Sequence, residues 1–426
     1  MKRRVVITGL GIVSPVGCDQ DTFWQNLQAG VSGATTLDRV TGCSLFGHHD
    51  FQAQTVCEVK DFDPTIWSLS PEELQLDRFG QFALAGAQQA YEDANLAQVD
   101  PSQIGVVLAT VICGTRTLEK EFVKVTDQGS HPVRAEGIYP YLYQATRGDS
   151  GALAIAAHYG FQGECLTIST GCIAGTDAIG YAYDSIACGE QDVVMAGGAE
   201  TPITPVTIAA FDIINCLSRH RGDPTKASRP FCASRDGFVL SEGCGMVVLE
   251  ELEHALKRNA PIYAEVSGWA ITEHASHMTD MSKEGIDLAR AMVDAMESAN
   301  VSATEIDFVN AHGTSTPQND YCETQAIKLA LGERAFAIPV NSTKSMLGHS
   351  LAASGAIEAV ACALSLKKQK IHPTINYEDP DPRCDLDYVP HEARAYAMET
   401  LIRNASGFSG LHATLVMQQY AGRREA

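Results

Sequence analysis

The residues Thr167–Gly180 read TISTGCIAGTDAIG. A β-branched run breaks at Gly171, and Cys172 follows just before a helical pattern of small residues. Two readings compete. Cysteine is a small hydrophobe that cores accept. A thiol at the first turn of a helix also lies beside unpaired N–H groups, where a nucleophilic thiolate is favoured. Gly171 permits the sharp strand-to-helix turn that presents a nucleophile in other α/β enzymes. The residues that follow, IAGTDAIG, keep bulk away from the sulfur. The other cysteines lack this setting, and Cys244 and Cys362 sit in apolar runs as packing residues. The 13 cysteines include no C-x-x-C pair, and there is no HExxH, so the sequence offers no zinc spacing. An odd cysteine count in a large chain without an export signal points to reduced thiols.

Two histidines share comparable surroundings. His312 lies in NAHGTSTPQNDYCET, Asn310–Thr324, where a strand ends in a loop rich in hydroxyls and glycine. His349 lies in NSTKSMLGHSLAASG, Asn341–Gly355, directly after Gly348, with Lys344 a little upstream. A lone histidine is usually structural. Two at strand–loop–helix junctions, where α/β sheets hold ligands, point to chemistry. His48, His49, His131 and His391 have no such context and read as structural or surface residues. In NASGFSGLHATLV, Gly407 and Gly410 flank Phe408, so backbone N–H groups there are candidates for an oxyanion hole. The plainer reading is a β-turn before the last strand. GLGIVS after the first strand nearly spells a dinucleotide fingerprint, but Ser14 replaces the glycine that helix–strand packing needs, and Pro15 follows. A tight turn is the better reading.

The elements that must position these groups alternate. RRVVIT, IGVVLAT, CLTIST, DVVMAGG, CGMVVLEEL, IYAEVSGWAIT, IDFVNAHGT, FAIPVNST and HATLVMQQY read as strands. Pro71–Asn95, Asp177–Gly189, Lys283–Asn300 and Ser350–Leu366 read as helices. The pattern predicts a layered α/β fold. Asp177–Gly189 and Ser350–Leu366 are rich in Ala, Gly and Ser, which predicts buried helices. Both follow the same order of strand, reactive-looking residue and small-residue helix. We therefore expect two similar halves, 1–260 and 261–426, meeting at one site, with the join near Arg258–Pro261.

Bulk properties narrow the function. The chain has 426 residues, 45% hydrophobic and 19% charged, with a formal charge of −21. A general nucleic-acid surface needs a basic face and is excluded. No stretch approaches a membrane span, and the N-terminus lacks a cleavage pattern, so a soluble cytoplasmic protein is expected. An acidic partner would need a local basic patch. Asn215–Arg235 supplies one, with Arg219, Arg221, Lys226, Arg229 and Arg235.

Together, TGC at Cys172, AHGTST at His312 and KSMLGHSLAASGAIE at His349 resemble the β-ketoacyl-acyl-carrier-protein synthases, the condensing enzymes of fatty acid and polyketide assembly. The likeness runs from RVVITGLGIVSPVG through SRPFCASRDGFVLSEGCGMVVLE to the GFSG turn. It implies the thiolase fold, a five-layered α/β/α/β/α sandwich of two similar halves, with the strand before Cys172 pairing across a dimer interface. It implies that Cys172 takes the acyl chain as a thioester and that His312 and His349 polarise the malonyl thioester. Lys344 and Glu323 match supporting charged residues, Phe408 the gating aromatic, and Thr314 and Thr316 the hydroxyls that hold the pantetheine arm. The oxyanion at the acyl thioester would be held by the N–H groups of Cys172 and Phe408. No metal or cofactor is implied; the substrates ride on the phosphopantetheine arm of acyl carrier protein. Arg219, Arg221 and Lys226 are candidate carrier-docking residues.

STGC, QNDYCET and CGTRTLEKEF most resemble the ketosynthase (α) subunit of type II polyketide synthases. Such subunits pair with a chain-length-factor homologue lacking the active cysteine. HGTST resembles fatty acid enzymes instead, Ser409 breaks the usual G-F-G-G turn, and GIYPYLYQATRGDSG, Gly137–Gly151, fits neither pattern. The alternative is a fatty acid synthase II-type enzyme acting as a homodimer. A degradative thiolase would carry a second cysteine near the C-terminal turn, which Asn404–His412 lacks. A non-catalytic scaffold would lack Cys172 or one of the histidines.

Overall fold

The computed structural model describes residues 2–37, 51–275, 277, 279–282 and 284–422. Cys43, His48 and His49 lie outside them.

Ten strands form one continuous sheet: β1 Val5–Val13, β2 Ile104–Ala109, β3 Cys165–Ile168, β4 Val193–Glu200, β5 Gly243–Glu251, β6 Ala264–Glu273, β7 Phe308–Asn310, β8 Val340–Asn341, β9 Thr400–Ser406 and β10 Leu411–Gln418. Their spatial order is β8-β7-β9-β10-β6-β1-β5-β4-β2-β3. Six helices complete the frame: α1 Arg78–Asp93, α2 Ser150–Tyr159, α3 Ala174–Ala187, α4 Ile286–Ala299, α5 Pro317–Leu331 and α6 Ser354–Lys368. The chain thus runs β-α-β-α-β-α-β-β twice. In each run the third strand pairs parallel with the second and the second with the fourth, while the fifth is antiparallel to both the fourth and the first. The expected repeat is therefore an architectural one.

Each half-sheet is covered on both faces, so its strands read as near-continuous apolar runs. β1, VVITGLGIV, is buried along its whole length. α1 and α2 pack outside the first half-sheet, and α4 and α5 outside the second. α3 and α6 lie between them and touch both. This is the five-layered thiolase-like arrangement. The two half-sheets are also hydrogen-bonded at one seam, where Val5–Ile7 of β1 pairs with Ala264–Val266 of β6.

The central helices explain their composition. Every residue of α6 from Ser354 to Leu366 is buried, as is most of α3. Their first turns cross at glycine: a Cβ on Gly175 would lie 2.5 Å from the Ala352 carbonyl oxygen, and one on Gly355 2.5 Å from the Thr176 amide nitrogen. Main chain meets main chain there, with the Thr176 hydroxyl beside it, 2.7 Å from a Cβ on Gly355. Elsewhere the boundaries shift. The first long helix begins at Arg78 rather than Pro71, because the Asp77 carboxylate caps it by accepting the Phe79 N–H at 3.2 Å. FAIPVNST contributes only Val340–Asn341 to the sheet, since Phe336 closes a 3₁₀ turn. The strand β9, TLIRNAS, has no counterpart among the expected strands. Among the described residues no helix is long and apolar enough to cross a membrane.

Candidate active site

The ends of β3, β7, β8 and β9 converge on a cavity of about 240 Å³. Cys172, His312, His349, Thr314, Thr316 and Phe408 all line it. Cys172 arrives on a single 3₁₀ turn, Gly171–Ile173, that leads into α3. Gly171 has φ +67°, and no atom lies within 4 Å of where its Cβ would be. The conformation, not space, demands glycine there.

The backbone N–H groups of Phe408 and of Cys172 itself favour the anionic form of the sulfur. The turn after β9 therefore aims its amides at the thiol, as a hole for an oxyanion would. The expected resting thiolate is corrected, however. Burial pushes the Cys172 thiol up to about 11, and the Glu200 charge adds to this. Lys344 and the two N–H groups pull the other way without overcoming it. Enclosure by protein outweighs the stabilisation an amide pair and a helix start can supply, so the thiol is protonated.

His312 follows β7. The Glu323 carboxylate, from α5, accepts the His312 and Gly313 N–H groups, each at 2.8 Å, and so shapes the loop. Burial raises Glu323 to about 7. The Lys344 Nζ lies 3.3 Å from His312 Nδ1. An ammonium can only donate, so Nδ1 is an acceptor and the ring proton belongs on Nε2. His349 follows Gly348, whose φ is +67° and whose Cβ would lie 2.6 Å from the Val239 carbonyl oxygen. The His349 N–H donates to that same carbonyl at 2.7 Å, and its own carbonyl accepts from Ser241 at 3.0 Å. The Ser354 hydroxyl accepts the Ser350 N–H at 3.0 Å and lies 2.9 Å from His349 Nδ1. With the Ser350 hydroxyl, 3.1 Å away, donating to it as well, the Ser354 proton goes to Nδ1, which again leaves Nε2–H as the ring donor. The two rings stand 5.2 Å apart, nearly perpendicular. Burial, then the Lys344 charge, hold both far below the ordinary histidine range, so both are neutral. The cavity therefore offers two neutral N–H donors and the Cys172 thiol, with Cys216 a second cysteine in its lining.

The remaining candidates divide. The hydroxyls of Thr314 and Thr316 are 2.9 Å apart on the cavity wall, and Thr316 also caps α5. The Phe408 ring is 37% exposed and 6.4 Å from Phe211, so it stands at the mouth. The basic stretch does not form one patch. Arg235 is buried against Asp381 at 2.8 Å, and Arg229 pairs with Asp236 at 2.9 Å. Lys226 pairs with Glu378 beside a separate surface pocket shared with Ser32 and His391. Arg219 bonds Asn215, which lines the cavity, and Arg221 is exposed nearby in the chain.

Three features escaped sequence reasoning. Ser406 lines the cavity with its hydroxyl 2.9 Å from His412 Nδ1. Glu200, at the end of β4, accepts from the Thr110 hydroxyl and the N–H groups of Val111, Ile112 and Cys113. Glu358 accepts from Lys344 at 2.5 Å through one oxygen and from Arg403 through the other. Ser406 and Glu358 lie inside NASGFSGLHATLV and KSMLGHSLAASGAIE, where residue type alone did not mark them, while Glu200 works through partners far away in the sequence.

A thiolase-like fold that brings a thiol, an aimed pair of amides and two neutral imidazoles into one cavity defines an enzyme of the condensing type. The chain belongs to the β-ketoacyl synthase family: the model of the N-terminal domain matches residues 2–255 and that of the C-terminal domain residues 263–378. It is 41% identical to the tetracenomycin polyketide synthase ketoacyl synthase alpha subunit of Streptomyces glaucescens, over 98% of this chain and 97% of that one. It is 40% identical to the 3-oxoacyl-[acyl-carrier-protein] synthase 2 of a Synechocystis species, over 98% and 99%. Among solved structures it is similar to a type II polyketide ketosynthase bound to a hexaketide, in complex with its acyl-carrier protein, with TM-score 0.90, 41% identity and 98% and 99% coverage. It also resembles the ishigamide ketosynthase/chain length factor, with TM-score 0.88, 33% identity and 99% and 100% coverage.

Proposed function

We propose that this chain is the active ketosynthase (α) subunit of a type II polyketide synthase and catalyses decarboxylative Claisen condensation. In the first step the Cys172 sulfur attacks a carrier-bound acyl thioester. A C–S bond forms, the bond to the pantetheine sulfur breaks, and the carrier thiol leaves. The proton that Cys172 gives up passes to the departing pantetheine sulfur, because both imidazoles already carry Nε2–H and have Nδ1 engaged. In the second step malonyl on the carrier loses carbon dioxide, and the electron pair of the broken C–C bond becomes an enolate. The Nε2–H groups of His312 and His349 donate to the enolate oxygen; one such donor contributes about 3 kcal/mol. The enolate carbon then attacks the Cys172 thioester, and the N–H groups of Cys172 and Phe408 receive the tetrahedral oxyanion. Collapse breaks the C–S bond and leaves the lengthened chain on the carrier. Thr314 and Thr316 would hold the pantetheine arm, and tethering raises the effective concentration of both substrates.

The observation that carries this reading is the convergence of Cys172 with two imidazoles whose Nδ1 atoms are occupied from behind. The names of the relatives support the α-subunit role, since an active cysteine is what separates that subunit from its chain-length-factor partner. The second reading, a fatty acid synthase II-type homodimer, is favoured by the HGTST loop and by the 40% identity to the Synechocystis enzyme. Co-expression with a cysteine-lacking homologue distinguishes them. The first reading expects a stable heterodimer that elongates carrier-bound malonyl, with the chain inactive or insoluble alone. A soluble, fully active homodimer overturns it in favour of the second. Failure of either form to decarboxylate malonyl-carrier overturns both.

A further inference from the structure

Arg403 is completely buried and is among the largest side chains so enclosed. It sits on β9 opposite Asn310 of β7, and His312 follows Asn310 two residues on. Its guanidinium donates to the Glu358 carboxylate on α6 and to the Thr176 hydroxyl in the first turn of α3. Glu358 gives its other oxygen to the Lys344 ammonium at 2.5 Å, and that ammonium lies 3.3 Å from His312 Nδ1. The chain Thr176–Arg403–Glu358–Lys344–His312 is thus continuous and buried throughout.

A guanidinium in such a place is costly to desolvate, and an apolar residue of similar volume would often serve stability as well or better. Its cost asks for another reason. One carboxylate is here divided between two cations. Without Arg403, both Glu358 oxygens would be open to Lys344, and the ammonium would be drawn off the histidine. With Arg403 in place, Glu358 presents one oxygen, and Lys344 keeps an N–H for Nδ1. The bond to Thr176 ties the same guanidinium to the helix that begins behind Cys172.

We propose that Arg403 is a positioning residue for condensation, clamping Glu358 so that Lys344 stays on His312 and coupling that network to the nucleophile helix. The inference rests on the reading of the cavity as a ketosynthase site. It has an electrostatic side as well. The groups facing His312 are Lys344, His349, Arg403 and His412, with Glu323 on its backbone; those facing His349 are Lys344, Arg403 and His312. The Arg403 charge works with Lys344 to keep both rings neutral.

The test compares Arg403→Met and Arg403→Lys with the wild type, each co-expressed with its partner subunit. Acyl loading of Cys172 and malonyl-carrier decarboxylation are measured separately across pH, alongside melting temperature. In Arg403→Met, decarboxylation should fall roughly tenfold to a hundredfold, as misplaced catalytic groups do. Its acid limb should also move to higher pH, because removing a cation lets the imidazoles protonate earlier. Loading should fall less. Arg403→Lys keeps the charge but can reach only one of the two partners, so it should lose rate while the acid limb stays near the wild-type position. An unchanged decarboxylation profile in Arg403→Met overturns the proposal. So does a loss shared equally by both steps with no pH shift, which is what a merely structural residue would give. If the Met variant does not fold, an acid limb in Arg403→Lys displaced from wild type overturns the charge argument, and an undiminished rate overturns the clamp. A wild-type enzyme unable to decarboxylate malonyl-carrier would instead remove the ketosynthase reading itself.

Discussion

The two halves of the chain share one strand order and deliver different chemistry to the same cavity. The first half brings Cys172 on a single tight turn, so that one glycine dihedral and the start of α3 set the position of the sulfur. The second half brings His312 and His349 on longer loops, each held from behind by a buried polar network. The buried histidines held low, His312, His349, His372 and His412, all lie in the second half. A duplicated frame can thus be divided into a half that positions by backbone and a half that positions by charge and hydrogen bonds. The backbone half tolerates little variation at its turn. The polar half depends on every member of its network being paired.

The comparison breaks most sharply at the nucleophile. Cys172→Ala should abolish acyl loading and condensation while leaving malonyl-carrier decarboxylation in place, measured as carbon dioxide release against acyl-enzyme by mass. Condensation by that variant would end the division of labour. Next in size, His312→Ala or His349→Ala should cut decarboxylation by about 10²–10³-fold, the usual effect of removing one donor to a developing oxyanion, with loading much less affected. Equal loss in both assays would show that the halves do not work separately.

The helix crossing sharpens the comparison at lower cost. Gly355→Ala places a methyl against the Thr176 amide, so chemical unfolding should show a loss of about 1–3 kcal/mol, typical of overpacking. The pH dependence of stability follows from the buried groups. Burial lowers His372 and His412 to about 4 and holds His312 and His349 well below their ordinary value of 6.5. The unfolded chain therefore takes up protons first, and stability is full above about 6.5 and falls as pH drops toward 4. Glu200 and Glu323, raised to about 7, act in the opposite sense: their contribution is full below the ordinary value of 4.5 and is lost as pH rises through 7. Melting temperature should accordingly decline on both sides of a maximum near about pH 6–7, and a flat acid side would contradict neutral buried histidines. The smallest effect is expected at the surface. Charge reversal at Arg219 and Arg221 should weaken carrier binding modestly and reduce its salt dependence, read by titration at two ionic strengths.

Much of this was legible in the sequence, because the frame announces itself by local rules. β-branched runs gave nine of the ten sheet strands, and the two Ala/Gly/Ser-rich segments are the central helices. β9 was missed for a physical reason: TLIRNAS places Arg403 and Asn404 where an apolar run would be, and their burial is repaid only by Glu358, Thr176, Glu323 and Thr414 from elsewhere in the chain. Cys172, His312 and His349 stood out because glycine marks the turns that present them. The protonation of Cys172 did not, since enclosure is a property of the folded cavity and leaves no trace in the six residues around the thiol. The basic stretch misled in the same way, because five cations close in sequence spread to a buried pair, a surface pair and the cavity mouth.

The meeting of Gly175 and Gly355 has one more consequence. Because the two helix starts meet through peptide units and a single threonine side chain, the gap between sulfur and imidazole is a ruler with almost no room for adjustment. The cavity wall, by contrast, includes exchangeable apolar side chains such as Phe211, Ile214 and Leu351. Substitutions there should reshape the cavity without moving the sulfur or the rings.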